Sequence, residues 1–265
     1  VELLAASPER AVVMPAAPVI ALVLAGTAAL LWLGREAKAW AGDDAVAMHL
    51  RYQPRALLVA VAVVAAVQGL RWVTGRAVTP LAFLEVGELQ AVAVGLGPFG
   101  EPGERWLEVG ARFALIATAA TASVVWLQAR PRPPTRALLP ALPLALLAAV
   151  ANAAAEELLF RVALVQGLHE RLPATTVAVI SGVLFGVPHY VGSPGRLPGV
   201  VMAGFLGWLL CTATLQVGGV AWAWALHALQ DLAIFTILFA QARSVPVAGR
   251  LAQPEPPPEL PGRLP

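Results

Sequence analysis

The chain is a succession of long apolar runs, and that succession limits what it can fold into. Ala11–Leu33, Ala56–Leu70, Leu107–Leu127, Ala137–Val150, Thr175–Val187, Pro198–Val217 and Val220–Phe239 reach or approach the ~20 apolar residues that a helix needs to cross ~30 Å of hydrocarbon. Leu158–Leu168 continues the fourth run. Apolar residues make up 58% of the chain and charged residues 13%, whereas a soluble domain is about half apolar and about a quarter charged. The expected fold is an all-α, polytopic transmembrane helix bundle of about seven or eight spans around a polar cavity within the membrane.

Charge and punctuation divide the chain. Positive charge is almost all arginine, and most of it lies between the runs. With seven spans and the N-terminus outside, Arg35, Lys38, Arg51, Arg55, Arg130, Arg132 and Arg136 fall in the cytoplasm, as the positive-inside rule requires. The arginines are scattered rather than clustered with aromatics, which argues against a nucleic-acid partner. Cys211 is the sole cysteine, so no intrachain disulfide can form. Trp32, Trp72, Trp106 and Trp126 fall near span ends, where aromatic belts form. The expected organisation is an N-terminal segment over 1–10, scaffold helices over 11–136, motif-bearing helices over 137–242 and a disordered proline-rich tail over 243–265. Ala11–Leu33 reads as a retained helix rather than a signal peptide. Gly34–Pro54, which holds His49, reads as a polar loop, and Pro80–Glu104 as an interfacial or re-entrant segment.

Three of the apolar runs carry residues that lipid tolerates poorly. They are Glu156, Glu157 and Arg161, then His189, then His227 with Asp231. A charge at the bilayer centre costs roughly 2.5–3.5 kcal/mol on insertion scales, so such residues usually line a wet cavity and act there. Glu157 and Arg161 are i,i+4 and share a helix face, whereas Glu156 points about 100° away from Glu157. One arginine does not compensate two adjacent carboxylates, and a desolvated glutamate is a plausible general base for water. His227 and Asp231 repeat the i,i+4 relation. Ala137–Leu168 as one straight helix would run about 48 Å, well beyond the hydrocarbon core, so it must tilt, break or project. Its expected weak point is Val150–Ala155, where Asn152 interrupts the run.

Glu156-Glu157-x-x-x-Arg161, then Phe185-x-x-x-His189, then His227-x-x-x-Asp231 resembles the CPBP intramembrane proteases. This superfamily includes the type II CAAX prenyl endopeptidases and bacterial Abi proteins. The resemblance covers roughly Ala137–Phe239. It implies an endopeptidase that hydrolyses a peptide bond of a membrane-associated or lipid-anchored protein or peptide with a glutamate-activated water. By position Glu156 would be the base and His189 would hold the water. Glu157 and Arg161 would support the site, with Phe185 packed beside the histidine. His227 and residue 231 would stabilise the oxyanion. Other members have Asn at that position, and an ionised Asp cannot donate a hydrogen bond, so Asp231 departs from the pattern. No cofactor is required on this reading, and the spacing HExxH of a protease zinc helix is absent. A metalloendopeptidase-like zinc site would draw on Glu156, His189 and His227. The alternative function is a non-catalytic immunity or scaffold protein of the same fold. The Ala/Arg/Pro-rich composition reads as bacterial, which places the protein in the bacterial inner membrane.

Overall fold

The computed structural model describes residues 16–42, 44–75 and 84–244. The segment 1–10 and all but the first two residues of the tail 243–265 lie outside them. Helices dominate: α1 (Ala16–Ala41), α2 (Ala45–Val73), α3 (Trp106–Gln128), α4 (Leu138–Glu157), a π-helical stretch Leu158–Val165 closed by the short turn α5 (Gln166–Leu168), α6 (Ala174–Gly186), α7 (Arg196–Val217) and α8 (Ala221–Ser244). Among the described residues no strand forms, and the sole bridge pairs Val92 with Arg105. Seven helical segments are long and apolar enough to cross a membrane, with Thr135–Leu168 counted as one. The chain is an all-α polytopic membrane protein.

The packing follows helical periodicity. Val19, Val23, Gly26, Leu30, Leu33 and Ala37 form one buried face of α1, while Leu24 and Trp32 on the other sides stand exposed. Exposed leucines on this scale are what lipid rather than water accommodates. Ala141, Ala145, Ala149 and Ala153 make a buried small-residue stripe along α4, and Phe235, Phe239 and Ala240 of α8 pack with its outer part. Small side chains let two helix backbones approach closely where no hydrophobic effect drives them together. The next residue of that stripe is Glu157, so its burial follows from the register.

Several local expectations are corrected. Gly34–Pro54 is mostly helix, because α1 continues to Ala41 and Asp44 caps α2 by accepting from the backbone of Val46 and Ala47 at 3.1 Å each. Across the helix pair Glu36 binds Arg51 and Arg55 at 2.8 Å each. The break expected at Val150–Ala155 does not occur there. The α-helix runs on to Glu157, and the departure comes one turn later as the π stretch. Trp106 is buried rather than part of a belt, and its indole donates to Gln216 at 3.0 Å. Arg71 is buried in the last turn of α2 and donates to the backbone oxygen of Gln166 at 2.7 Å and to Glu170 at 3.1 Å, pinning the end of the π stretch. From Leu84 on, the irregular segment before α3 straps the α7–α8 turn, with Glu88 donating to Val217 and Ala221 donating to Glu85.

Candidate active site

Of the residues that the sequence singled out, Glu156, Phe185, His189 and Asp231 line one cavity, and Glu157, Arg161 and His227 are buried behind them. Asn152, Glu156 and Phe160 follow one another at i,i+4 and line it from α4 and the π stretch. Glu157, one residue on, turns into the protein and is fully buried. There its Oε1 forms an ion pair with Arg161 at 2.9 Å and lies 2.8 Å from Nδ1 of His227. Arg161 is equally buried, with a second contact to the Gly207 carbonyl at 3.4 Å and its guanidinium 4.7 Å above the Phe185 ring. Removing one partner from such a pair leaves a buried charge alone, which typically costs about 3–5 kcal/mol.

His189 stands on a 3-10 turn, Val187–Val191, just past α6. Its Nδ1 lies 2.7 Å from the Phe185 carbonyl, which can only accept, so Nδ1 carries the proton and Nε2 of the neutral ring is an acceptor. That Nε2 lies 4.0 Å from Oε2 of Glu156. Nε2 of His227 lies 3.7 Å from the same Glu156 oxygen and 3.7 Å from Oδ2 of Asp231. These separations exceed a direct hydrogen bond and are the span that one small oxygen bridges. Glu156 Oε2 is buried and accepts no hydrogen bond from the protein. Phe185 is the packing centre, its ring 4.8 Å from His189, 5.3 Å from His227 and 5.2 Å from Phe160.

Residues 138–233 match a family model described as type II CAAX prenyl endopeptidase Rce1-like. Over that segment, about a third of its length, the chain is similar to this family. No curated protein and no solved structure matches it. The CAAX protease match takes in Glu156, Glu157, Arg161, Phe185, His189, His227 and Asp231, and leaves out α1, α2 and α3. Yet α1 and α2 close the cavity. The cavity measures about 510 Å³, and Thr27, Leu30, Leu31, His49 and Tyr52 form its wall on that side.

Sequence reasoning missed the residue that organises the two remaining carboxylates. Asn152 donates from one amide nitrogen to Glu156 at 3.1 Å and to Asp231 at 3.0 Å. Its oxygen accepts from Gln53 of α2 at 3.2 Å, which fixes the orientation of the amide. Asp231 is therefore an acceptor held by Asn152, and its distance from His227 is too long for a hydrogen bond. His49, expected in a loop, lines the cavity from α2, with its Nδ1 3.4 Å from Gln53.

Zinc fits these residues poorly. Ligands about 2.0–2.1 Å from a tetrahedral zinc lie about 3.3 Å from one another, whereas Glu156 stands 4.0 Å from His189 and 3.7 Å from His227. Among the described residues no group of three or more His, Cys, Asp or Glu is arranged to hold a metal ion.

Proposed function

We propose that the protein is an intramembrane endopeptidase, hydrolysing a peptide bond of a membrane-associated or lipid-anchored protein or peptide. The convergence of Glu156 Oε2 with the Nε2 atoms of His189 and His227 at the inner end of a half-enclosed cavity carries this reading. Glu156 takes a proton from a water molecule whose other proton is accepted by Nε2 of His189. The hydroxide adds to the scissile carbonyl carbon, and the carbonyl oxygen takes up the negative charge. His227, in its imidazolium form, donates from Nδ1 to Glu157 and from Nε2 to that oxyanion. Glu156 then returns its proton to the leaving amine, the carbon–nitrogen bond breaks, and the carboxylate is restored. Asp231 acts through Asn152, whose amide sets the position of Glu156.

The geometry favours this over an immunity or scaffold role, since a binding-only protein gains nothing from a buried carboxylate oxygen aimed at two imidazoles. The membrane is the bacterial cell membrane on the composition of the chain. The test compares the termini of membrane proteins by mass spectrometry in host cells carrying wild type or Glu156→Gln, which removes the base with almost no change in volume. New termini in wild type that vanish in the variant are expected. The same termini in both, with equal protein levels, would overturn the proposal.

A further inference from the structure

The amides that hold the carboxylates of the site are themselves held, and their hydrogen bonds have one polarity. Ionised Glu156 and Asp231 can only accept, so the nitrogen of Asn152 faces both, at 3.1 Å and 3.0 Å. Its oxygen is thereby turned to α2, where it meets Nε2 of Gln53 at 3.2 Å. With the Gln53 amide reversed, two oxygens would face each other with no hydrogen between them. The same Gln53 nitrogen lies 3.4 Å from Nδ1 of His49, one turn back on α2. Its second hydrogen goes there, which makes Nδ1 of His49 an acceptor and puts the proton of the neutral ring on Nε2. Oε1 of Gln53 is buried and has no hydrogen-bond partner, so the orientation of this amide rests on its nitrogen alone. The His49 ring is fixed in turn by α8, its centroid 4.5 Å from that of Phe235 and 5.7 Å from that of Phe239. Phe235 stands one turn after Asp231, so the path through Asp231, Asn152, Gln53, His49 and Phe235 closes on itself. It ties α2, which lies outside the matched segment, to the two helices that carry Glu156 and Asp231.

We propose that His49 is a positioning residue for Glu156, the acceptor that fixes the amides of Gln53 and Asn152 in the one orientation that presents N–H to the carboxylate. The inference rests on the protease reading for its effect on rate, and on hydrogen-bond polarity alone for the relay itself. Without the acceptor on His49, Gln53 keeps one of its two constraints, and a reversed Gln53 turns Asn152 with it. The Asn152 oxygen then faces Glu156 and Asp231, and the base loses the donor that places it.

The test sets packing against hydrogen bonding. His49→Phe keeps a ring against Phe235 and Phe239 and removes the acceptor. His49→Asn loses the ring and keeps an acceptor, with its Oδ1 standing where Nδ1 stood. Steady-state kinetics on a cleaved peptide should show kcat lowered roughly tenfold in His49→Phe, with KM within about twofold. His49→Asn should restore kcat to within about threefold of wild type. The reverse order, or equal rates in all three proteins, would make His49 a packing residue and overturn the role. A second readout needs no substrate. In protein carrying nitrogen-15 histidine, the His49 resonances are those missing from His49→Asn. They should show a neutral ring protonated on Nε2, and Gln53→Leu should move Nδ1, as an acceptor that has lost its donor. A proton on Nδ1, or an Nδ1 resonance unmoved in Gln53→Leu, would overturn the relay. The expected resonances without cleavage of any peptide by wild type would keep the relay and remove the protease reading.

Discussion

At the scale of single residues the site depends on how three carboxylates share few donors. Glu157 meets Arg161 and His227 through one oxygen, Oε1. Glu156 and Asp231 share one amide nitrogen of Asn152, and Gln53 holds that amide in place. A hydrogen bond to a charged group contributes about 1.5–3 kcal/mol, so Asn152→Ala should lower kcat by roughly ten- to a hundredfold. KM should stay within about twofold, because the base and not the cavity wall is disturbed. Asn152→Ala with Asp231→Ala should recover part of kcat, since the second change removes the carboxylate left without its donor. Steady-state kinetics on a cleaved peptide checks both, and a double variant as slow as the product of the single effects would refute the bridging role. Glu156, His189 and His227 were legible in the sequence because ionisable groups in lipid are costly enough to need a reason. Asn152 was not, because one amide in an apolar run carries no such signal. Its partner Gln53 lies 99 residues away, on a helix outside the matched family segment.

At the scale of elements the positions of the helices were legible, and their contacts only partly so. Length and apolarity set the spans, but not the mutual approach of α6 and α7. A Cβ on Gly182 would stand 2.9 Å from the Gly204 carbonyl oxygen, and one on Gly186 2.7 Å from that of Val200. These two glycines let α6 lie on the α7 backbone and so place Phe185 and His189. Gly186→Ala should destabilise the protein by about 1–3 kcal/mol and lower kcat, as an added methyl in a packed contact does. Gly69→Ala is the control, with nothing within 4 Å of its Cβ. Thermal unfolding in detergent decides it, and equal melting of the two variants would show that the contact does not position α6. The π stretch was illegible for a different reason. LLFRVALV is as compatible with α as with π by propensity, and what marks the stretch is its contacts at either end, Arg71 of α2 donating to the Gln166 carbonyl and Arg161 pairing with Glu157.

At the scale of the molecule, orientation in the membrane decides which compartment reaches the Glu156 end of the cavity. The cavity runs along α1 from Thr27 to Lys38, so its open end lies where α1 and α2 are joined. The helix ends that meet there carry Arg35, Lys38, Arg51 and Arg55, basic residues that the positive-inside rule assigns to the cytoplasm, so substrate should enter from that side. The sole cysteine, Cys211, is buried, which makes single-cysteine labelling practicable on a nearly silent background. Thr27→Cys and Ser193→Cys, both on the cavity wall, should react with a charged, membrane-impermeant thiol reagent applied from the cytoplasmic face. Leu115→Cys and Leu58→Cys should react slowly from either face, although those leucines are 76% and 70% exposed, because their surroundings are lipid. Fast labelling of position 115 would contradict the membrane assignment. Labelling of positions 27 and 193 from the outer face alone would invert the topology, and the same cavity would then take its substrates from the other side of the membrane.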